Sequence, residues 1–383
     1  MEKQKYIASL DIGTAGIVSS LAQVGKDNRV KVIGLIKMPS EGVKRGIIFN
    51  MEDTVKAIKS TIEEISVQTG IRINQVNVNM NGQHIHMSKK TEYLSIHSND
   101  SEISNTGIQK LINHKNKPSI DYGDEILHVI PAEYTVTNKQ AATHTTGMPK
   151  GNAKVGYKVI TGQQAAISNI KKCINLAGLE INNLVSEPIA SSFSVLSNDE
   201  KEKGVVLVDI GAGTTNVVIY YNDIIRHLAV IPFAGNFITS ELKKYFNISG
   251  DQAENLKVQF GSALVKLAPA EKTTTVPGID GREDIEISLK DSVHIIQWCL
   301  EQIIDAILFE IKDSGFFSQI GNGIVLTGGG ALLENINILF KDKTGLNVRL
   351  GLPSKLGNNE NLFELNDPIY STSIGLLNYY FRK

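Results

Sequence analysis

Two stretches of the chain, starting at residues 6 and 205, carry the same alternation of apolar and polar positions. "YIASLDIGTAGIVSSLAQV" (6–24) and "VVLVDIGAGTTNVVIYY" (205–221) each read as an apolar strand, an Asp-Ile-Gly break, a few small residues and a second strand. A third strand follows each pair, at 30–37 and at 224–231, so both halves open as β-meanders. In the first half "MEDTVKAIKSTIEEISVQTG" (51–70) sets Val55, Ile58, Ile62 and Ile65 at helical spacing, and Gly70 predicts the stop. "QVNVNMNG" (75–82) alternates strictly and predicts a half-buried strand, which completes β-β-β-α-β. The second half adds an amphipathic helix over 292–314, with Val293, Ile296, Leu300, Ile303, Ile307 and Ile311 in register. "GIVLTGGGALLENI" (323–336) then reads as strand, glycine loop and helix. The repetition predicts an α/β protein made of two like halves facing one another.

Between the halves the pattern changes. Residues 85–162 are rich in His, Ser, Thr, Asn and Lys, with the strand-like "EILHVIPAEYTV" and "AKVGYKVIT" around a short helix, "TGIQKLINHKN". This predicts a small inserted α+β subdomain. Helices are expected over 162–181 and at "IASSFSVL", and 265–290 reads as an irregular charged face. The expected division is 1–84 with 163–202 as the first domain, 85–162 as the insertion, 203–240 with 311–383 as the second domain, and 241–310 as its smaller subdomain.

Composition narrows the class without changing this picture. A formal net charge of −1 gives no field that would draw the chain to nucleic acid or an anionic membrane. "MEKQKYIASL" lacks the apolar core of a signal peptide, and no run reaches the ~18 apolar residues of a membrane span. Cys173 and Cys299 lie far apart in helical patterns and read as small buried hydrophobes of a reducing compartment. His84 and His86 have no Cys or carboxylate at ligand spacing, so a metal pair is not expected there.

The chemistry concentrates in the two breaks. Asp11-Ile-Gly13-Thr14 and Asp209-Ile-Gly211-Ala-Gly213-Thr214-Thr215 occupy hairpin turns, where glycines and a hydroxyl can aim backbone N–H groups at phosphate oxygens. A carboxylate just before such a turn suits Mg²⁺ held through water, because Mg²⁺ dehydrates reluctantly. One such turn is equally an ordinary hairpin with a hydrogen-bonded Asp; two at matching points of a duplicated chain favour a phosphate clamp. Gly328, Gly329 and Gly330 after an apolar strand would let a nucleoside lie against the backbone, although glycine loops are common at such turns. Glu187, followed by Pro188, either orients a water at a terminal phosphate or complements a helix N-terminus. Glu254 and Lys257, three apart on one helix face, either clasp a ribose or form a surface ion pair. The GxxxxGK[ST] phosphate loop is absent.

The repeated Asp-Gly turns and the late glycine loop resemble the actin/Hsp70/sugar-kinase superfamily. "LDIGTAGIVSSLAQV", "MNGQHI", "LHVIPAEYTV", "ASSFSVLSNDE", "VIPFAGNFITSEL", "AENLKVQFGSAL", "GIVLTGGGALLENI" and "PIYSTSIGLLNYY" narrow it, over residues 6 to 380, to the FtsA family of bacterial cell-division proteins. The resemblance implies duplicated actin-like, ribonuclease H-like ATPase domains around a nucleotide cleft. It implies ATP and Mg²⁺ as ligands, with Asp11 and Asp209 at the metal and Gly13, Thr14, Gly211, Gly213, Thr214 and Thr215 at the phosphates. Glu254, Lys257, Gly328, Gly329 and Gly330 would hold the nucleoside, and Glu187 with Asp209 would serve any hydrolysis, which is expected to be slow. It implies self-association into protofilaments and docking of the FtsZ C-terminal peptide on 241–310. Other division proteins would meet the inserted subdomain, and the protein would work in the cytoplasm at the inner face of the membrane.

Three departures stand out. Gly16 occupies a place in the first turn where several relatives have lysine, so one phosphate contact is expected to be missing. The acid–proline pair Glu187-Pro188 resembles MreB and Hsp70 more than some FtsA proteins. After "LLNYYFRK" the family's linker and basic amphipathic helix have no counterpart, so membrane contact is expected through a tail outside this chain or through a partner. A related scaffold of the PilM type and a metabolite kinase are the competing readings; the kinase would need a base beside an acceptor pocket, and none is evident.

Overall fold

The computed structural model describes residues 4–25, 30–95, 120–136, 152–278, 283–353 and 366–380. The first half builds β1 (Lys5–Ile12), β2 (Gly16–Val24), β3 (Val30–Pro39), the short hairpin β4 (Val43–Lys44) and β5 (Ile47–Ile48), α1 (Met51–Thr69) and β6 (Gln75–Met80). The inserted region supplies β7 (His86–Ser95), β8 (Asp124–Val136) and β9 (Asn152–Gln163), after which α2 (Gln164–Leu176), β10 (Glu180–Ser186), α3 (Glu187–Val195) and α4 (Asn198–Lys203) lead out. The second half contains β11 (Val205–Ile210), β12 (Thr215–Tyr221), β13 (Ile224–Ile231), α5 (Gly235–Phe246), α6 (Gly250–Phe260), β14 (Thr273–Val276) and β15 (Ile285–Ser288). It closes with α7 (Leu289–Asp313), β16 (Ile324–Thr327), α8 (Ile336–Thr344), β17 (Val348–Leu350) and α9 (Ser371–Tyr379).

The duplication seen in the sequence is a duplication of sheets. One runs β3-β2-β1-β6-β10, the other β13-β12-β11-β16-β17, each an antiparallel meander followed by two parallel strands. The two Asp residues hold matching stations: Asp11 pairs with Val18 across its hairpin, and Asp209 with Asn216. β11 is apolar at four consecutive positions because both of its faces are covered. Val205 and Leu207 join the core that reaches across to the first half, while Val206 and Val208 join the core under α5–α8.

α1 starts and stops as its sequence directs. Asn50 caps it by accepting from the N–H groups of Glu52 and Asp53, and Gly70 takes the left-handed conformation at its end. α7 is longer than its apolar pattern suggested and, by length and composition alone, could cross a membrane. Ile296, Leu300, Ile303, Ile304 and Ile307 are fully buried in the second core, so its apolarity serves packing. Two small hairpins, β4–β5 and β14–β15, were not expected; the second lies inside the stretch read as irregular.

Two further differences bear on the site. Residues 75–80 do not make a half-buried strand: Asn77, Asn79, Val76, Val78 and Met80 are all buried, so both faces are covered. The last helix, grouped with the second domain by sequence order, packs on the first sheet. Ile374 and Leu377 share a core with Ile7, Val18 and Val32, and the Ser373 hydroxyl meets those of Ser9 at 2.9 Å and Ser20 at 2.8 Å.

The insertion is a three-stranded sheet, β7-β9-β8. The helix expected at "TGIQKLINHKN" lies outside the described residues. Lys158 on β9 donates to the carbonyl of Arg226 on β13. His128 on β8 accepts the N–H of Ser186 at 2.9 Å, just before α3, and burial pulls its imidazole down to about 4.

Candidate functional site

The two Asp-Gly turns meet across a cleft of about 360 Å³ between the halves, within the range of small-molecule sites. Each turn is a four-residue loop closed in the same way. Gly13 N–H donates to Gly16 C=O at 3.0 Å, and Gly211 N–H to Thr214 C=O at 3.0 Å. Among the described residues no protein acceptor meets the backbone N–H of Thr14, Ala15, Ala212 or Gly213. The halves touch here, where Asn81 donates to the Thr214 hydroxyl at 2.8 Å; within the first half, the Thr14 hydroxyl accepts from Gly46 N–H at 3.1 Å.

Three carboxylates form the floor. Asp11 and Asp209 are 9% and 6% exposed, and Glu187 is the first residue of α3, where the helix dipole favours an acid. Asn79 Nδ2 bridges them, donating to Asp11 Oδ1 at 2.8 Å and to Glu187 Oε2 at 2.6 Å. Its Oδ1 accepts the Ile12 N–H at 2.7 Å, which fixes the amide's orientation. Asn216 donates to Glu187 Oε1 at 2.9 Å. Burial, then the charge of Asp209, pushes the Asp11 carboxyl up to about 8. Burial pushes Asp209 up to about 6 against hydrogen bonds from Ser191 and Thr372. Glu187 is held well above its ordinary range by burial, then by Asp11 and Asp209.

The opposite wall is glycine. Gly328 has φ 80°, and a side-chain carbon there would fall 2.3 Å from Asp209 Oδ1, so only glycine lets the loop pass the carboxylate. Gly329 and Gly330 continue this wall. Glu254 and Lys257 project from α6 at its edge, with Lys257 Nζ 2.7 Å from Glu254 Oε2.

The structure therefore brings together Asp11, Gly13, Thr14, Glu187, Asp209, Gly211, Gly213, Thr214, Glu254, Lys257 and Gly328–Gly330. Thr215 is the exception: it is fully buried, and its hydroxyl donates to Phe233 C=O at 3.0 Å, away from the cleft. As the first residue of β12 it faces the sheet interior. Asn79, Asn216 and Thr372 were missed. For Asn79 the available signal was a strand whose alternating polar positions, Gln75, Asn77 and Asn79, are all amides without charge. His84 sits in the turn before β7, buried, with Nδ1 accepting from Gln163 N–H at 3.3 Å.

The residues present fit a nucleotide with Mg²⁺. The uncommitted amides of the turns suit phosphate oxygens. The carboxylates of Asp11 and Asp209 suit a hard cation such as Mg²⁺, which takes oxygen ligands and keeps several of its waters.

Comparison with known proteins places the chain. A family model described as cell division protein FtsA matches residues 206–375, and one described as the SHS2 domain inserted in FtsA matches 82–153. The chain is 33% identical to cell division protein FtsA of Pseudomonas aeruginosa over 383 residues, covering 100% of this chain and 91% of that protein. It is 32% identical to FtsA of Neisseria meningitidis, over 98% of this chain and 90% of that one. Among solved structures, PilM in a PilM–PilN type IV pilus biogenesis complex has TM-score 0.64 at 16% identity, over 97% of both chains. MreB5 of Spiroplasma citri bound to ADP has TM-score 0.60 at 16% identity, over 99% of this chain and 97% of that one. The structural likenesses share the fold alone, a duplicated actin-like core. The sequence matches decide the family: this chain belongs to the FtsA family of cell division proteins.

Proposed function

We propose that this cell-division protein is a nucleotide-controlled, self-associating scaffold with ATP and Mg²⁺ held in the cleft between its halves. The observation that carries the reading is the meeting of two like Asp-Gly turns over three carboxylates, all raised above their ordinary range. In this reading Gly13, Thr14, Gly211, Gly213 and Thr214 receive the phosphates, and Asp11 and Asp209 hold the hydrated metal. Glu254, Lys257 and Gly328–Gly330 hold the nucleoside. Bound Mg²⁺ supplies the positive charge that offsets repulsion among carboxylates and phosphates. Glu187, steadied by Asn79 and Asn216, is placed to orient a water, which supports slow hydrolysis at most. Contact between the turns couples the cleft to the relative placement of the halves, and so to assembly.

Family membership supports the partners: copies of this chain in protofilaments, the FtsZ C-terminal peptide on 241–310, and other division proteins on the inserted subdomain. It also supports residence at the inner face of the membrane. The first test is equilibrium binding of ATP with Mg²⁺, with sedimentation as the readout of assembly. Asp209→Asn is expected to weaken magnesium-dependent binding about 10- to 100-fold and to abolish nucleotide-dependent pelleting. Equal binding by the variant, or none by the wild type, would sink the reading.

A further inference from the structure

The first turn, Gly13-Thr14-Ala15-Gly16, carries no cationic side chain. Gly16 begins β2, and the space beside it is taken by the neighbouring strand. A carbon added at Gly16 would lie 3.3 Å from Lys37 Cε and 3.5 Å from Lys37 Cγ, so the lysine stem runs across the glycine. Strand register explains the direction. Lys37 on β3 pairs with Val18 on β2, and Val18 pairs with Asp11 on β1. Directly paired residues share a sheet face, so Lys37 stands on the Asp11 face, two strands and about 10 Å across.

The charge of the lining gives a second, independent reason. The cleft is lined by four carboxylates, Asp11, Glu187, Asp209 and Glu254, and by two cations, Lys37 and Lys257. Lys257 is committed: besides Glu254, its Nζ donates to the Thr239 hydroxyl at 2.9 Å and to Gly235 C=O at 3.2 Å. Lys37 is exposed and, among the described residues, has no carboxylate partner. Beside whatever charge bound Mg²⁺ brings, a polyphosphate entering this anionic cleft would gain from a side-chain cation next to the first turn, and lysine serves phosphates as a mobile point charge.

We propose that Lys37 determines specificity for the phosphate chain, supplying from β3 the cation that the first turn lacks at Gly16. The proposal rests on the nucleotide reading above. It predicts that affinity for the phosphates and affinity for the nucleoside respond separately to substitution at one strand position.

The test is equilibrium binding of ATP, ADP and adenosine, each with Mg²⁺, to wild type, Lys37→Met and Lys37→Arg. Lys37→Met keeps the stem and removes the charge; it is expected to bind ATP and ADP about 10- to 100-fold more weakly, with adenosine unchanged. Lys37→Arg is expected to stay within about threefold of wild type, and the Met deficit should shrink at high salt. ATP binding by Lys37→Met as tight as wild type overturns the proposal. So does an equal loss of adenosine, which would mark a packing role. Binding of none of the three by wild type overturns the nucleotide reading itself, and the role of Lys37 falls with it.

Discussion

Asp11 lies on the inner face of β1, and its proton-binding affinity differs sharply between folded and unfolded chain: about 8 against an ordinary 3.8. A carboxyl raised on folding stabilises the folded state fully below its unfolded value, and that contribution is lost as pH climbs through the folded one. For Asp11 the window runs from about 4 to about 8, and Asp209, raised to about 6, loses its share earlier within it. Asp11→Asn is therefore expected to raise the melting temperature of the nucleotide-free protein by about 2–4 °C at pH 8, with a smaller gain at pH 6. Melting curves across pH would check this; a difference constant with pH would refute it. The same variant should lose magnesium-dependent nucleotide binding, so the site gives up stability for chemistry. The Asp and Gly residues of this site were legible because the sequence repeats them. Asn79 and Asn216 were not, since a single amide on a strand does not show what will enclose it: Asn79 is held by Asp11, Ile12 and Glu187 of its own half, and Asn216 reaches across to Glu187.

α3 and α9 cross so closely that a side-chain carbon at Gly375 would fall 1.8 Å from Ala190 C=O. Both are backbone positions in helices, so neither can yield, and Gly375→Ala is expected to cost about 3 kcal/mol in denaturant unfolding. An unchanged midpoint would show that the crossing relaxes. Glu187 begins one of these helices and Thr372 lies on the other, so strain at the crossing should also weaken nucleotide binding. A second expectation belongs to α5 and α7. Trp298, the chain's single tryptophan, is 51% exposed beside Tyr245, Glu241, Asp291 and His294. If the FtsZ peptide docks on 241–310, titration should shift Trp298 fluorescence, and Trp298→Ala should weaken binding by roughly 1–3 kcal/mol. Saturable binding that leaves the fluorescence untouched would place the peptide elsewhere. Long elements such as α1 and α7 were readable from their periodicity. β14 and β15 were not, because four-residue strands of Thr, Glu and Ile leave too short an alternation to stand out from a charged loop.

At the scale of the whole molecule, the two matched sheets were foreseeable because a repeated strand pattern repeats its pairing. The destination of α9 was not. Its Ile374, Leu376 and Leu377 announce a buried helix but not which sheet buries it, and order along the chain pointed to the wrong half. That destination has a consequence for how the protein is made. On the ribosome, β1 to β3 emerge first, yet Ile7, Val18 and Val32 on their inner face wait for Ile374 and Leu377, which follow only after the entire second half. The nascent first half must therefore dwell with an uncovered apolar face, a natural client for a holding chaperone. A fragment ending at residue 203 should bind an apolar dye that a peptide spanning 366–380 displaces, so the chain's late residues would act as the closing piece of its earliest fold.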